Sequence, residues 1–184
     1  MDARRFGDWL MHRWQRIEDT AGWRESALHL LMVAEMGAAV GAVLVFEINA
    51  AVLVLLLVAA LLHEFTVWTD LNYAAARRFI PVPEQWVHSI QIVVPWAGLA
   101  ILAVIHRGQA AAAVGLGDAV ADWSIRLKQP PLPVAESTIA VGAAISLVVV
   151  PFALEFVRCL RSERTKHAAP VPRAPAPHRT IGAA

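Results

Sequence analysis

The sequence predicts an all-α integral membrane protein: a four-helix bundle with two amphipathic interfacial helices and a disordered C-terminal tail. Two observations predict this class. Of the 184 residues, 58% are hydrophobic and 17% are charged, whereas soluble domains average about 45–50% apolar and about 25% charged. The apolar residues also occur in four blocks of about 20 residues, the length that a helix needs to cross a bilayer. A soluble enzyme, a disordered regulator and a secreted disulfide scaffold therefore fit this chain poorly.

The four blocks predict a membrane domain over residues 27–159. Its spans are expected at 27–46, 50–68, 86–105 and 138–157. Because only a short connection separates the first two, they should form a tight helical hairpin. Two spans contain a proline, which lacks an amide hydrogen. Pro95 and Pro151 should each kink their helix and leave the carbonyl groups of Gln91 and Leu147 without a helical donor.

Basic residues outside the spans predict the orientation. One side of the membrane receives most of them: Arg4, Arg5, Arg13, Arg16, Arg24, Arg77, Arg78, Arg158, Arg161, Arg164 and Lys166. The other side receives only Arg107, Arg126 and Lys128. Because loops rich in Lys and Arg stay in the cytoplasm, we expect a bacterial inner-membrane protein with both termini cytoplasmic.

Three segments flank the spans. Residues 1–26 include a basic amphipathic helix, which suits an anionic membrane surface or packs on the bundle. Residues 110–128 predict a second amphipathic helix on the outer side, with Asp122 and Arg126 as an i,i+4 ion pair. Residues 160–184 form a cytoplasmic tail, rich in Ala and Pro and disordered from Ala168 onward.

Ionisable and polar side chains inside the spans are the candidate functional residues, because a charged residue at the centre of a span costs roughly 2.5–3.5 kcal/mol. The candidates are His29, Glu35, His63, Glu64, Glu84, His88, Gln91 and Glu155. With the orientation above, they all fall in the cytoplasmic half of the bilayer. Glu64 is rotated about 100° from His63 around its helix, so it points toward a different side.

Helical phase groups most of these residues. His63 and Asp70 share one helical face, and Glu84 shares another with His88. Imidazole and carboxylate groups are ligands for iron, manganese and zinc, and they also carry protons. The sequence therefore predicts a cluster that binds a metal ion or relays protons. Its direct ligands would be His63, Glu84 and His88, with Asp70, Glu35 and Glu155 as further ligands or bases.

Two alternatives use the same residues. His63 and His88 lie at similar depth and would be the axial ligands of a haem b, although four acidic groups nearby suit an apolar macrocycle poorly. Each residue taken singly also has a structural explanation, such as a pairing of Glu155 with Arg158 one turn away.

The connection between the second and third spans carries a recognisable block. It contains Asp70, Tyr73, Arg77, Arg78, Ile80, Glu84, Gln85 and His88. This pattern resembles one in a group of short, uncharacterised bacterial inner-membrane proteins, and the resemblance implies a shared architecture without an activity. The two arginines, Arg77 and Arg78, are placed to contact lipid phosphate or another anion, or to neutralise the acidic residues.

No sequence motif identifies a reaction, and none indicates nucleic-acid recognition. The bilayer is the expected partner. A second hypothesis is a non-catalytic structural or assembly subunit of a membrane complex, joined to another membrane protein or to a second copy of the chain. Gly37 and Gly41 form a small-residue pattern in the first span that permits close helix packing.

Overall fold

The computed structural model describes residues 22–168, and its regular structure is helical apart from one isolated β-bridge. The helices are α1 (Trp23–Val45), α2 (Ala50–Ala75), α3 (Val82–Ile105), α4 (Arg107–Ala113), α5 (Val134–Ala144) and α6 (Val150–Ala168), with a π-helical segment (Ile145–Val149) joining the last two. The all-α prediction is confirmed.

Four helices are long and apolar enough to cross a membrane. They are α1, α2, α3 and the continuous stretch Ser137–Lys166, which contains most of α5, the π-helical segment and most of α6. The chain is therefore a multi-pass membrane protein of four spans. All four spans extend beyond their predicted bounds at the basic end: α1 begins at Trp23, α2 continues to Ala75, α3 begins at Val82 and α6 continues to Ala168. Asp70 and Glu84 consequently lie within helices, whose regular geometry fixes their direction.

The two ends of the bundle differ in charge. The end that contains the α2–α3 connection, the start of α1 and the end of α6 is called the basic end below; its described cations are Arg24, Arg77, Arg78, Arg158, Arg161, Arg164 and Lys166. The opposite end contains the α1–α2 turn and residues 106–133, with Arg107, Arg126 and Lys128.

Helix α2 is the most enclosed of the four spans. It packs against α1 and α3, and α1 packs in turn against α6. Toward the opposite end these helices meet through an apolar core of Ala42, Val52 and Leu56, with Leu99 and Leu102 from α3 against it. The interior is therefore apolar in the half of the bundle away from the basic end.

Local chemistry fixes the two short connections. Asn49 caps α2 by accepting a hydrogen bond from the amide of Val52 at 3.1 Å, which is a favoured role of Asn before a helix. At the basic end, Pro81 lies immediately before α3 and Pro83 lies in its first turn. Proline is tolerated there because the first amides of a helix have no intrahelical acceptor.

The outer amphipathic helix predicted over residues 110–128 is not formed. Helix α4 ends at Ala113, and residues 114–133 contain no helix. Gly115 and Gly117 follow with φ of 73° and 79°, a left-handed conformation that stops an α-helix. The backbone beyond them bonds to the α1–α2 turn instead of to itself: the Glu47 amide donates to the Arg126 carbonyl at 2.9 Å, and the Lys128 amide donates to Val45 at 2.8 Å.

The fourth span and the residues just after it also differ from the predictions. Its first helix, α5, begins at Val134, and a π-helical segment lies just before Pro151, whose missing amide disturbs the regular hydrogen-bond pattern. Helix α6 continues to Ala168, so residues 160–168 are helical rather than part of a tail. The predicted N-terminal helix over residues 3–18 and the tail beyond 168 lie outside the described residues.

Candidate functional site

The buried polar side chains of the bundle form three clusters in the half nearer the basic end. The arginine cluster is Glu25, Arg78, Glu84 and His88; the His29 cluster is His29, Asp70 and Glu155; the His63 cluster is Glu35, His63 and Thr66. Each cluster joins residues from at least two helices or connections. Each also contains one imidazole and at least one carboxylate.

The arginine cluster lies at the basic end. The Arg78 guanidinium donates to Glu25, with Nε 3.2 Å from Oε1, and to Glu84, with Nη1 2.9 Å from Oε2. Both carboxylates are fully buried, and the Arg78 side chain is only 5% exposed. On the next turn of α3, His88 Nε2 lies 3.7 Å from Glu84 Oε1. One planar guanidinium thus ties the start of α1 to the start of α3, a geometry that lysine does not reproduce.

The two carboxylates of this cluster stabilise the charge of Arg78. Burial alone would lower the pKa of Arg78, but the hydrogen bonds to Glu84 and Glu25 outweigh it and raise the pKa above its ordinary value. Arg78 is therefore a permanent cation.

The structure distinguishes the two arginines that the sequence assigned to lipid or anion contact. Arg78 binds the buried carboxylates, in keeping with the alternative that it neutralises acidic residues. Arg77 is exposed, and its guanidinium carbon lies 3.6 Å from the centre of the Tyr73 ring. Contact of Arg77 with a lipid phosphate stays a prediction.

The His29 cluster joins three helices. His29 Nε2 of α1 lies 3.2 Å from Asp70 Oδ2 of α2, and its Nδ1 lies 3.8 Å from Glu155 Oε1 of α6. All three side chains are at most 1% exposed. The imidazole also packs against Phe152, with ring centroids 5.8 Å apart. The ring thus presents a nitrogen toward a carboxylate on each side.

The His63 cluster lies deepest. His63 Nδ1 is 3.3 Å from Glu35 Oε2, and the Thr66 hydroxyl oxygen is 2.7 Å from Glu35 Oε1. His63 is also within hydrogen-bonding reach of the backbone of Gln91. Because Pro95 has no amide hydrogen, the Gln91 carbonyl lacks its helical donor, and this leaves it available to the imidazole.

The clusters succeed one another along the bundle. On α1, Glu25, His29 and Glu35 are separated by four and six residues, which correspond to rises of about 6 Å and about 9 Å. On α2, His63 and Asp70 are seven residues apart and both buried. The predicted common face of His63 and Asp70, and that of Glu84 and His88, are therefore confirmed by burial. Beyond the His63 cluster the interior becomes the apolar core.

The six predicted ligands do not meet at one point. The structure divides them among the three clusters: Glu84 and His88, then Asp70 and Glu155, then Glu35 and His63. Within residues 22–168, no three His, Cys, Asp or Glu side chains are grouped so as to hold a metal ion. Instead, each buried imidazole lies beside one or two carboxylates.

Several buried polar atoms have bonding capacity that the described side chains and backbone do not use. Among residues 22–168 these include Asp70 Oδ1, His88 Nδ1 and Gln91 Oε1. Buried polar groups in proteins are nearly always hydrogen-bonded, so these atoms are exceptions among the described residues. One such atom belongs to the arginine cluster, one belongs to the His29 cluster, and the third lies on α3 beside His63.

Sequence reasoning missed two members of the clusters. Glu25 precedes the predicted start of the first span at Ala27, and so it was not counted as intramembrane. A signal was present, because Glu25 and His29 have the same four-residue spacing as Glu84 and His88. Thr66 carries no charge and gives no signal of its own. His29 was a candidate from the sequence but was not assigned to the ligand set.

The block from Asp70 to His88 folds as a local unit. Gln85 Nε2 donates to the Ile80 carbonyl at 2.9 Å, and Tyr73 supports Arg77 while Arg78 reaches Glu84. Comparison of the whole chain with family models, curated proteins and solved structures finds no match.

Proposed function

We propose that this membrane protein binds protons from the basic end and relays them into the centre of the bundle. The observation that carries the proposal is the succession of three buried clusters in which an imidazole lies beside a carboxylate. Histidine is the side chain whose ordinary pKa allows a charge change near neutral pH. Intramembrane carboxylate and histidine chains are the usual components of proton pathways.

The His63 cluster supports the proposal because it accommodates both protonation states of Glu35. The Thr66 hydroxyl has one hydrogen and lies within reach of two acceptors, Glu35 Oε1 at 2.7 Å and the Leu62 carbonyl at 3.1 Å. When Glu35 is ionised, the hydroxyl donates to it. When Glu35 is protonated, the carboxylic acid donates to Thr66, whose hydrogen turns to Leu62. No backbone movement is needed for either state.

The end of the polar region sets the direction of the relay. The clusters start at the basic end, which we assign to the cytoplasm of a bacterial inner membrane from the distribution of Arg and Lys. They stop at the apolar core of Ala42, Val52 and Leu56. In this conformation protons therefore exchange with one side of the membrane only, as in one half of an alternating cycle.

Infrared spectroscopy of the full-length protein in lipid nanodiscs tests the proposal. After a rapid pH step from about 8 to about 5, a range that spans the ordinary titration of histidine, we expect a carboxylic acid band that Glu35→Gln removes. Asp70→Leu should slow the appearance of that band, since the His29 cluster lies between Glu35 and the basic end. Glu47→Gln, at the opposite end, is the matched control and should change neither feature.

The other hypotheses give different results. An iron, manganese or zinc site would retain near-stoichiometric metal after gentle purification, and haem b would give a Soret band. A purely structural subunit would show no intramembrane carboxyl band that follows the pH step. A spectrum in which no buried carboxyl group responds would overturn the proposal.

A further inference from the structure

Residues 121–128 form a non-helical segment that crosses the end of the bundle opposite the basic end. The segment runs antiparallel to the α1–α2 turn, with Leu127 bridged to Phe46. Helix α1 ends at Val45 and α2 begins at Ala50, so the apolar stretches of both spans stop at this level. The segment therefore lies at one boundary of the hydrocarbon region.

Two side-chain amides hold the segment in place. Gln109 of α4 accepts a hydrogen bond from the Asp122 amide at 2.8 Å and donates to the Val120 carbonyl at 3.2 Å. Asn49, which caps α2, donates to the Ser124 carbonyl at 2.7 Å. Because these bonds join the segment to α4 and to the turn between two spans, its depth in the membrane follows that of the spans.

The two sides of the segment face different surroundings. Side chains alternate between the sides of an extended chain, and residues opposite each other in an antiparallel pair share a side. Leu127 lies opposite Phe46, which packs against the apolar core of the bundle, so Leu127 is on the side of the membrane domain. Its neighbour Arg126 is on the other side, where its Nε lies 3.0 Å from Glu47 Oε2.

The side of the membrane domain carries three apolar side chains, called the apolar row below: Trp123, Ile125 and Leu127. In the same register Ile125 lies opposite Ile48, which also packs against the apolar core. The three side chains are nevertheless 57%, 56% and 61% exposed, so residues 22–168 leave more than half of each uncovered. The apolar row thus faces the level of the hydrocarbon from outside the bundle.

We infer that the apolar row inserts into the lipid at this boundary and anchors the α1–α2 turn there. Lipid contacts the four spans, and the row continues their lipid-facing surface, since Val45 beside the segment is 47% exposed. Trp123 suits this position because tryptophan is enriched where membrane meets water. A protein partner fits less well: a stable interface uses about 20–30 residues from each side, and a soluble partner would approach the polar side.

Spin labels on the full-length protein in lipid vesicles test this inference. Ile125→Cys, Leu127→Cys and Ser124→Cys are each labelled in a Cys159→Ala background. Collisions of each label with oxygen, which concentrates in lipid, are compared with collisions with a water-soluble nickel chelate. The labels at Ile125 and Leu127 should favour oxygen and lie about 5–10 Å into the boundary between headgroups and acyl chains. The label at Ser124, the matched control on the polar side, should favour the nickel chelate.

Two results would overturn the inference. A ratio of oxygen to nickel collisions at Ser124 equal to that at Ile125 and Leu127 would show that the segment has no lipid-facing side. Labels at Ile125 and Leu127 that neither reagent reaches would show that protein covers the apolar row, and dipolar coupling between labels would identify that protein as a second copy.

Tryptophan fluorescence gives a second measurement that needs no cysteine. The emission that Trp123→Phe removes should be quenched by lipids brominated near the headgroup end of their acyl chains and protected from iodide in the water. Quenching of that emission by iodide, without quenching by the brominated lipids, would contradict insertion. Thermal unfolding of each variant in micelles verifies that its fold is intact.

Discussion

The Nε2 atom of His29 lies 3.2 Å from Oδ2 of Asp70, and both side chains are almost completely buried. This contact joins α1 to α2 in the polar half of the membrane domain. If the two side chains act as a unit, the effects of removing them are not additive. We expect a coupling free energy of about 0.5–3 kcal/mol between His29→Leu and Asp70→Leu, measured by reversible unfolding in mixed micelles.

A distant pair is the control for this cycle. Glu47 lies at the opposite end of the bundle, so Asp70→Leu and Glu47→Gln should be additive within about 0.5 kcal/mol. Additivity between His29→Leu and Asp70→Leu would contradict the interaction described above.

Arg78 and Arg77 are adjacent, but their substitutions should differ greatly. Arg78→Ala leaves the buried carboxylates of Glu25 and Glu84 without their cation and should lower the free energy of unfolding by about 3–5 kcal/mol. Arg77→Ala removes an exposed contact with the Tyr73 ring and should cost less than about 1 kcal/mol. Chemical denaturation of both variants in the same micelles makes the comparison. Equal losses of unfolding free energy would show that the buried ion pairs of Arg78 stabilise the protein no more than the exposed contact of Arg77.

Thr66 and Thr69 provide a second matched pair on α2. Thr66→Val removes the donor to the Glu35 carboxyl group, whose side chain is 16% exposed, and should reduce stability by about 0.5–1.5 kcal/mol. Thr69 is less buried, and among residues 22–168 its hydroxyl bonds only to the Phe65 carbonyl one turn earlier, so Thr69→Val should change stability by less than about 0.5 kcal/mol. Thr66→Val should also alter the frequency of the Glu35 infrared band, which Thr69→Val leaves unchanged.

The segment that covers the opposite end should loosen in acid. Hydrogen bonds from the side chain and backbone of Ser124, together with the charge of Arg126, hold the pKa of Asp122 below its usual value. Since the folded-state pKa lies below the unfolded value of about 3.9, the stabilisation is present above that value. It is lost as the pH falls through the lower, folded-state pKa.

Amide hydrogen exchange measures this effect. The protection of the Glu47 amide, which donates to the Arg126 carbonyl, should be high at about pH 6 and reduced at about pH 3. Asp122→Asn should show the reduced protection at both pH values. Unchanged protection of Glu47 across this range would show that Asp122 does not hold the segment in place.

Much of the fold follows from the sequence because the thickness of the bilayer sets the length of each membrane-spanning helix. The four apolar blocks became four membrane helices, and the His, Asp and Glu residues within them, apart from the exposed Glu64, meet in one half of the bundle. Residues 110–128 were misread as helical because their apolar spacing outweighed Gly115 and Gly117, whose left-handed conformation ends α4. The hydrogen bonds of this segment to the α1–α2 turn depend on tertiary structure, which helical spacing does not encode.

The composition of the candidate site was also partly predictable, but its partition was not. The free-energy cost of placing an ionisable side chain in the bilayer identified Glu35, His63 and Glu155 as candidates. The seven-residue spacing of His63 and Asp70 identified the buried side of α2. Which carboxylate meets which imidazole depends on the rotation and depth of neighbouring helices. The rotation and depth of α1 and α2 place Asp70 beside His29 rather than beside His63. The residues predicted to form one metal cluster therefore lie in three separate polar clusters.

Protonation of the buried imidazoles is the central claim, and nitrogen NMR of histidine-labelled protein in bicelles measures it most directly. Between about pH 5 and about pH 8, we predict that side-chain signals of His29, His63 or His88 change between neutral and protonated forms. Asp70→Asn should shift the transition of His29. His106, at the opposite end of the bundle, is the internal reference. If His106 titrates while all three buried histidines keep one protonation state throughout, the proton relay is contradicted.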